Sequence, residues 1–317
     1  MAVAFTFPGQ GSQAVGMGKD FADVFPEARR IFQEVDDALG ENLSKLIWEG
    51  PEETLTLTAN AQPALMAVSL AAIRALEARG FSLKDKVAYV AGHSLGEYSA
   101  LAAAGFVSVA DAARLLRIRG NAMQAAVPAG EGAMAAIIGL EQADVEAACA
   151  EAALGAGKGA ACQVANDNGG GQLVISGTRA AVELAARLCT EKGAKRALML
   201  QVSAPFHSAL MTPAAEIMRE ALASVARAAP VVPIVSNVTV TPTSDPDEIA
   251  RRLVEQVVAR VRWRETVEWF GANGVSTLYE IGAGKVLSGL ARRINRDIAT
   301  ASVGSAAEVE AALAALA

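Results

Sequence analysis

Val87-Ala88-Tyr89-Val90-Ala91-Gly92-His93-Ser94-Leu95-Gly96-Glu97 passes from an apolar strand-like run into a GxSxG turn and then into an alanine-rich helical stretch. A strand, a glycine-flanked serine and a helix in that order read as a nucleophile elbow. Gly92 and Gly96 let the chain turn sharply enough to lift Ser94 Oγ clear of the sheet. The helix starting near Leu95 aims backbone N–H groups and its positive dipole end at a developing oxyanion. The five-letter pattern is common by itself; its strand-turn-helix setting is what gives it meaning.

A serine hydroxyl needs a base within hydrogen-bond reach, most often histidine. The chain has two. His93 adjoins the nucleophile, and neighbouring side chains in a sharp turn point apart, so His207 is the candidate base. It lies in Val202-Ser203-Ala204-Pro205-Phe206-His207-Ser208, between a strand-like run from Arg196 to Val202 and a helix opened by Thr212 as N-cap with Pro213 at its first position.

Working outward, strand-like runs alternate with helical patterns, which predicts an α/β fold with a parallel sheet covered by helices. Strands are expected at Val3 to Phe7, Val87 to Ala91, Val231 to Val240 and Val275 to Ile281. Long helices are expected at Pro63 to Arg79, Tyr98 to Ala104, Ala110 to Ala126 and Pro246 to Arg260. The middle differs in texture. Strand Gly132 to Gly139, helix Gln142 to Ala153, strands Ala160 to Ala165 and Gln172 to Ser176, helix Thr178 to Lys192 and strand Arg196 to Val202 make a β-α-β-β-α-β order. That order is the ferredoxin-like unit. It predicts a small subdomain over residues 130–201, inserted into a main domain formed by residues 1–129 and 202–317. A cleft between the two would hold a substrate, with His207 at its mouth.

Composition narrows the function classes. The chain has 317 residues, 52% hydrophobic and only 5% aromatic, with net charge −6, which argues against nucleic acid as a partner. Met1 to Pro8 lacks a positive n-region and reads as a first strand, and no apolar run reaches membrane-spanning length. The expectation is a cytoplasmic, monomeric protein without membrane contact. Cys149, Cys162 and Cys189, odd in number and set among apolar neighbours, are expected as buried free thiols.

Two motifs mislead. Gly9-Gln10-Gly11-Ser12-Gln13-Ala14 fits the dinucleotide pattern GxGxxA, but Glu34 and Asp36, where the acidic ribose partner is due, lie in a helical pattern from Pro26 to Leu39. The segment reads instead as a flexed loop able to offer N–H groups to an anion. Gly282-Ala283-Gly284-Lys285-Val286 is no phosphate loop, because Tyr279 and Val286 occupy positions that need Gly and Ser or Thr. Arg114, Arg117 and Arg119 interrupt an otherwise apolar helix. One of them could pair with a substrate carboxylate through its planar fork, and spacing alone does not say which.

These residues, taken in order, resemble the malonyl-CoA:acyl carrier protein transacylases, relatives of the acyltransferase domains of fatty-acid and polyketide synthases. The resemblance runs end to end: Phe7-Pro8-Gly9-Gln10-Gly11-Ser12-Gln13, Gly92-His93-Ser94-Leu95-Gly96-Glu97, Arg119-Gly120-Asn121-Ala122-Met123-Gln124, Gly132 to Ile137, Asn166-Asp167-Asn168, Val174 to Gly177, and Ser203-Ala204-Pro205-Phe206-His207-Ser208. It implies an α/β-hydrolase-like main domain carrying the ferredoxin-like insert. It implies Ser94 as the acylated nucleophile and His207 as base, with the backbone N–H groups of Gln13 and Leu95 as oxyanion hole and Arg119 as the malonyl carboxylate clamp. A main-chain carbonyl in the stretch of Gln256 would orient the histidine, and Met123 and Asn166 would line the pocket. No metal or redox cofactor is implied. The substrates would be malonyl-CoA and the phosphopantetheine thiol of acyl carrier protein.

An acidic carrier protein needs a local positive field on this acidic chain. Lys285, Arg292, Arg293 and Arg296 are the first candidate cluster, with Lys195 and Arg196 second. The competing readings are a serine esterase or thioesterase with water as acceptor, against which Arg119 argues, and a non-catalytic docking module, against which the Ser94 and His207 pair argues. A stand-alone polyketide acyltransferase is the pathway alternative.

Overall fold

The structure, a computed structural model, describes residues 2–316. Among the described residues the strands are β1 (Ala2–Phe7), β2 (Tyr89–Gly92), β3 (Gly132–Ile138), β4 (Cys162–Asp167), β5 (Gln172–Thr178), β6 (Arg196–Met199), β7 (Ile234–Val235), β8 (Pro242–Thr243), β9 (Val275–Ile281) and β10 (Ala299–Val303). They form two sheets. One has the order β10-β9-β1-β2-β7-β8 and is parallel except for the short β7–β8 pair. The other, β4-β5-β3-β6, is antiparallel throughout.

The inner strands of the parallel sheet are covered on both faces, which is why β1 and β2 read as nearly unbroken apolar runs. Ala4, Phe5, Phe7, Val90 and Ala91 are all fully buried. The 20-residue helix Thr58–Glu77 is buried along most of its length. Helix Val109–Ala125 crosses its first turn at Gly120, where a Cβ would come within 2.6 Å of Ala59 Cα. That close approach sets the depth of the next residue back, Arg119. The antiparallel sheet has its own apolar layer, in which Ile137, Val164 and Ile175 pack on Val145, Ala148, Val182 and Ala185 of helices Gln142–Gly155 and Arg179–Glu191.

Several expectations need correction. The run from Val231 to Val240 is not one strand. Pro233 interrupts its pairing groups, only Ile234–Val235 joins the sheet, and the chain then turns through Val240 at φ 56° before β8. The helix expected from Pro63 begins at Thr58, because Asn60 and Ala61 N–H bond Leu57 O and build a turn that Pro63 only continues. The helix expected to reach Arg260 ends at Gln256, and the strand expected to reach Val202 ends at Met199. Thr212 is not an N-cap. Met211 holds that place, and Thr212 Oγ1 donates to Ala209 O from inside the first turn. Strand β10 was not anticipated at all. Cys149 and Cys189 are buried, but Cys162 is half-exposed and its Sγ lies 3.4 Å from Cys149 Sγ. The two meet because helix Gln142–Gly155 packs on the strand that follows it, β4.

Candidate active site

The elbow is sterically compelled. A Cβ on Gly92 would sit 1.9 Å from Gly96 C, and one on Gly96 would sit 2.2 Å from Phe7 O, so only glycine fits either side of the turn. Between them Ser94 is held at φ 55°, a left-handed conformation that non-glycine residues rarely adopt. Its backbone is tied from the C-terminal half of the chain. Ser94 N–H donates to Asn237 Oδ1 at 2.9 Å, Asn237 Nδ2 donates to Gly92 O at 2.7 Å, and Gln256 Nε2 donates to Ser94 O at 2.8 Å.

Ser94 Oγ and His207 Nε2 are 2.7 Å apart. On the other side of the ring, His207 Nδ1 lies 2.9 Å from Gln256 O. A carbonyl only accepts, so Nδ1 carries the proton and Nε2 presents its lone pair to the serine hydroxyl. That carbonyl is available because Gln256 is the last residue of helix Pro246–Gln256, where main-chain acceptors have no partner in the next turn. Burial, reinforced by the Arg119 cation, pushes the His207 imidazole down to about 3. The ring is therefore neutral over the physiological range and ready to take a proton.

His93, by contrast, turns away from the serine. Its Nε2 meets Asn168 Oδ1 at 2.9 Å, its ring faces Trp263, and burial lowers its basicity.

The three arginines separate cleanly. Arg114 pairs with Asp111 on the surface, and Arg117 bonds Glu41 and Asn60 away from the serine. Arg119 is 1% exposed. Its Nη1 donates to Gln62 Oε1 at 2.7 Å, and its Nη2 to Gln256 Oε1 at 2.8 Å and to Ser94 Oγ at 3.1 Å. Among the described residues it forms no ion pair. Ser94 Oγ thus donates to His207 while accepting from a buried cation. The guanidinium also lies over the Tyr98 ring.

A cavity of about 460 Å³ opens in front of these groups, between the parallel sheet's loops and the antiparallel sheet. Gln10, Gly11, Gln13, Ser94, Leu95, Arg119, Met123, Asn166 and His207 all line it. The backbone N–H groups of Gln13 and Leu95 have no hydrogen-bond partner among the described residues, whereas Gly11 N–H is taken by Gln13 Oε1. Of the candidate site residues read from the sequence, all but Gln256 line this one cavity, and Gln256 stands behind it in contact with Ser94, Arg119 and His207.

Three positioning groups were not anticipated. Asn237 sits where a strand was expected. Gln163 of β4 brackets the His207 turn, donating to His207 O and Val258 O and accepting from Ala209 N–H. Glu97, 1% exposed, accepts from Asn237 N–H at 2.6 Å and from Gln256 Nε2. Burial pushes this carboxyl up to about 7, against the pull of those two bonds and of the Arg119 and Arg252 cations. Asn237 and Gln163 belong to no local pattern; the elbow signature placed Glu97 but said nothing of its partners.

The candidate docking arginines Arg292, Arg293 and Arg296 are exposed, and Arg293 packs on Gly170 of the loop between the cavity residues Asn168 and Gln172. Lys285 is partly neutralised by Glu308 at 2.9 Å. Lys195 and Arg196 are exposed at the start of β6. Among the described residues no helix is long and apolar enough to cross a membrane.

Comparison with known proteins gives the family. The family model for the acyl transferase domain matches residues 4–309. A malonyl CoA-acyl carrier protein transacylase from Bacillus subtilis is 47% identical over 311 residues, covering 98% of this chain and 96% of its own length. An acyl-carrier-protein S-malonyltransferase crystal structure from Bartonella henselae superposes with TM-score 0.97 at 63% identity, covering 100% of this chain and 99% of that one. A third, a malonyl-transacylase solved in complex with a type II polyketide acyl carrier protein, superposes with TM-score 0.94 at 43% identity, covering 99% and 100%. A buried arginine beside a Ser–His pair, on a chain matched along nearly its whole length, places this protein in the acyl transferase domain family, among the malonyl CoA-acyl carrier protein transacylases.

Proposed function

We propose that the chain transfers malonyl from malonyl-CoA to the phosphopantetheine thiol of acyl carrier protein, through a malonyl ester on Ser94. The carrying observation is the 3.1 Å contact of Arg119 Nη2 with Ser94 Oγ, which sets a buried cation with no ion-pair partner among the described residues directly beside the nucleophile. A malonyl group has a carboxylate to meet it; an acetyl group has none.

In the first half-reaction His207 Nε2 takes the Ser94 proton as Oγ attacks the thioester carbonyl. The backbone N–H groups of Gln13 and Leu95 receive the oxyanion. The C–S bond then breaks, and the imidazolium returns the proton to the leaving sulfur, releasing coenzyme A. In the second half-reaction the carrier thiol gives its proton to His207 and attacks the ester, and Ser94 leaves with the proton restored. The Gln256 carbonyl stabilises the imidazolium in both halves, as no acidic third member is present in that position. Thioester and oxyester are close in energy, so transfer runs in both directions. Met123 and Asn166 shape the pocket, and a narrow cleft disfavours water as acceptor. This chemistry needs no cofactor.

The strand order β4-β5-β3-β6 with its two helices supports the ferredoxin-like reading of residues 130–201, and the elbow after β2 supports an α/β-hydrolase-like main domain of residues 1–129 and 202–317. The working protein is read as a cytoplasmic monomer whose partners are a coenzyme A thioester and, transiently, acyl carrier protein. Intact-mass measurement tests the whole reading: malonyl-CoA adds one malonyl group, and holo carrier protein removes it. A malonyl group lost to water at the same rate with and without carrier protein would make the chain a hydrolase.

A further inference from the structure

Glu97 is a buried carboxylate that the transfer chemistry leaves without a task. Its surroundings give it one. The Gln256 side chain stands between Arg119 and Glu97, with Oε1 receiving Arg119 Nη2 and Nε2 serving both Ser94 O and Glu97 Oε2. Arg119 can only donate. Ser94 O and an ionised carboxylate can only accept. The amide therefore has one orientation that satisfies all three, and the reverse orientation would set its N–H against the guanidinium.

We infer that Glu97 is a positioning residue for acyl selection, acting through the Gln256 amide to hold the Arg119 guanidinium in register with Ser94. This inference rests on the malonyl-transfer reading. The other Glu97 contact, Asn237 N–H at 2.6 Å, holds Oε1, the carboxylate oxygen that Gln256 does not use. Both oxygens are thus occupied by N–H donors, and Glu97, Gln256, Arg119 and Asn237 are all at most 1% exposed, so no water takes over a lost bond cheaply.

Replacement by glutamine keeps the shape and breaks the polarity. The new amide has one oxygen for two N–H donors, so it either abandons Asn237 N–H or turns its own N–H toward Gln256 Nε2. If Gln256 then rotates, its N–H faces Arg119. The Asn237 N–H is fixed in the backbone whereas the Gln256 side chain can rotate, so the second arrangement costs less, and in it the clamp loses its register while the Ser94–His207 pair keeps its Gln256 carbonyl.

The test is the acylation half-reaction of wild type, Glu97→Gln, Glu97→Asp and Gln256→Met with malonyl-CoA and acetyl-CoA. In Glu97→Gln the KM for malonyl-CoA is expected to rise about tenfold, the size of one lost buried hydrogen bond, while that for acetyl-CoA stays within about twofold. Gln256→Met also frees Ser94 O, so it should slow acylation by both donors but raise the malonyl-CoA KM further than the acetyl-CoA KM. The double variant should lose no more malonyl preference than Gln256→Met alone, because both cut the same link. Glu97→Asp, still acceptor-only, should recover part of the preference. Parallel losses for both donors, full additivity in the double variant, or an unchanged preference would each overturn the inference. Should Glu97→Gln fail to fold, Glu97→Asp and Gln256→Met decide, and an unchanged malonyl preference in both overturns it. Wild type that malonyl-CoA does not label sinks the transfer reading itself, so the two failures are distinguishable.

Discussion

Ser94 Oγ lies 2.7 Å from His207 Nε2, and the two residues share one unusual backbone conformation, φ 55° each. Each left-handed residue costs on the order of 1–2 kcal/mol, so the surroundings must over-determine both. Asn237 and Gln256 do this for Ser94, and Gln163 does it for the His207 turn. The pair is therefore preorganised before substrate arrives.

Ser94→Ala should remain folded and take up no malonyl, as judged by intact mass. His207→Ala should slow both half-reactions, by about 10²- to 10⁴-fold for loss of a positioned base. Acylation and carrier transfer both proceeding at wild-type rates in His207→Ala would remove the histidine from the mechanism.

Arg119→Ala should discriminate between donors. An unpaired charge in a desolvated site costs roughly 2–5 kcal/mol, so kcat/KM for malonyl-CoA should fall about 30-fold or more. Acetyl-CoA should be little affected, and Arg119→Lys should recover only part of the loss because it lacks the fork. Arg114→Ala and Arg117→Ala are the controls, since neither reaches Ser94. Equal losses for both donors would mean that Arg119 serves packing rather than selection.

Legibility in the sequence followed locality. Strand β9 was readable to the residue, because Val275–Ile281 is an apolar run ended by a glycine turn, and the elbow was readable because its two glycines are sterically obligatory. Strand β10, Ala-Thr-Ala-Ser-Val, has too little hydrophobic contrast to announce itself. The segment after Pro233 looked like a strand because its valines are buried, but its Asn237 is drawn out of pairing to hold the elbow. Arg119 could not be told from its neighbours by spacing. The signal lay in Gly120, whose contact with Ala59 is tertiary and has no one-dimensional trace. Gln163 and Asn237 are lone amides whose partners stand 44 and 143 residues away.

That same glycine contact yields a prediction. Gly120→Ala would place a Cβ 2.6 Å from Ala59 Cα and 2.8 Å from Thr58 O, both backbone, so the helices must separate. Overpacking of this kind costs about 1–3 kcal/mol. The melting temperature should fall, and malonyl preference should fall with it, because Arg119 and its partner Gln62 ride on the two helices being forced apart. A variant that melts lower but keeps its full preference for malonyl over acetyl would uncouple the packing from the clamp.

Carrier docking should depend on Arg292, Arg293 and Arg296 more than on Lys285, which already faces Glu308. Neutralising the three arginines should raise the KM for carrier protein, most at low salt, and leave acylation by malonyl-CoA unchanged. No effect at low salt would move the search to Lys195 and Arg196.

The pH profile separates the two buried titrating groups. His207 is depressed to about 3 by burial and by Arg119, so it stays a neutral base well below its ordinary value near 6.5 and should impose no acid limb around neutrality. Glu97 is raised to about 7 by burial, with Arg119 and Arg252 the cations facing it, Tyr98 beside Arg119, and Asn237 and Gln256 donating to it. As pH falls through that value the carboxylate gains a proton, and one of its two N–H donors loses its acceptor. Malonyl acylation should therefore decline on an acid limb near pH 7, whereas Glu97→Gln, lower throughout, should be flat down to about pH 5, where carboxylates of ordinary affinity begin to titrate. A limb of unchanged midpoint in Glu97→Gln would assign it to His207 instead, and would mean that the imidazole is far less shielded than its 3% exposure implies.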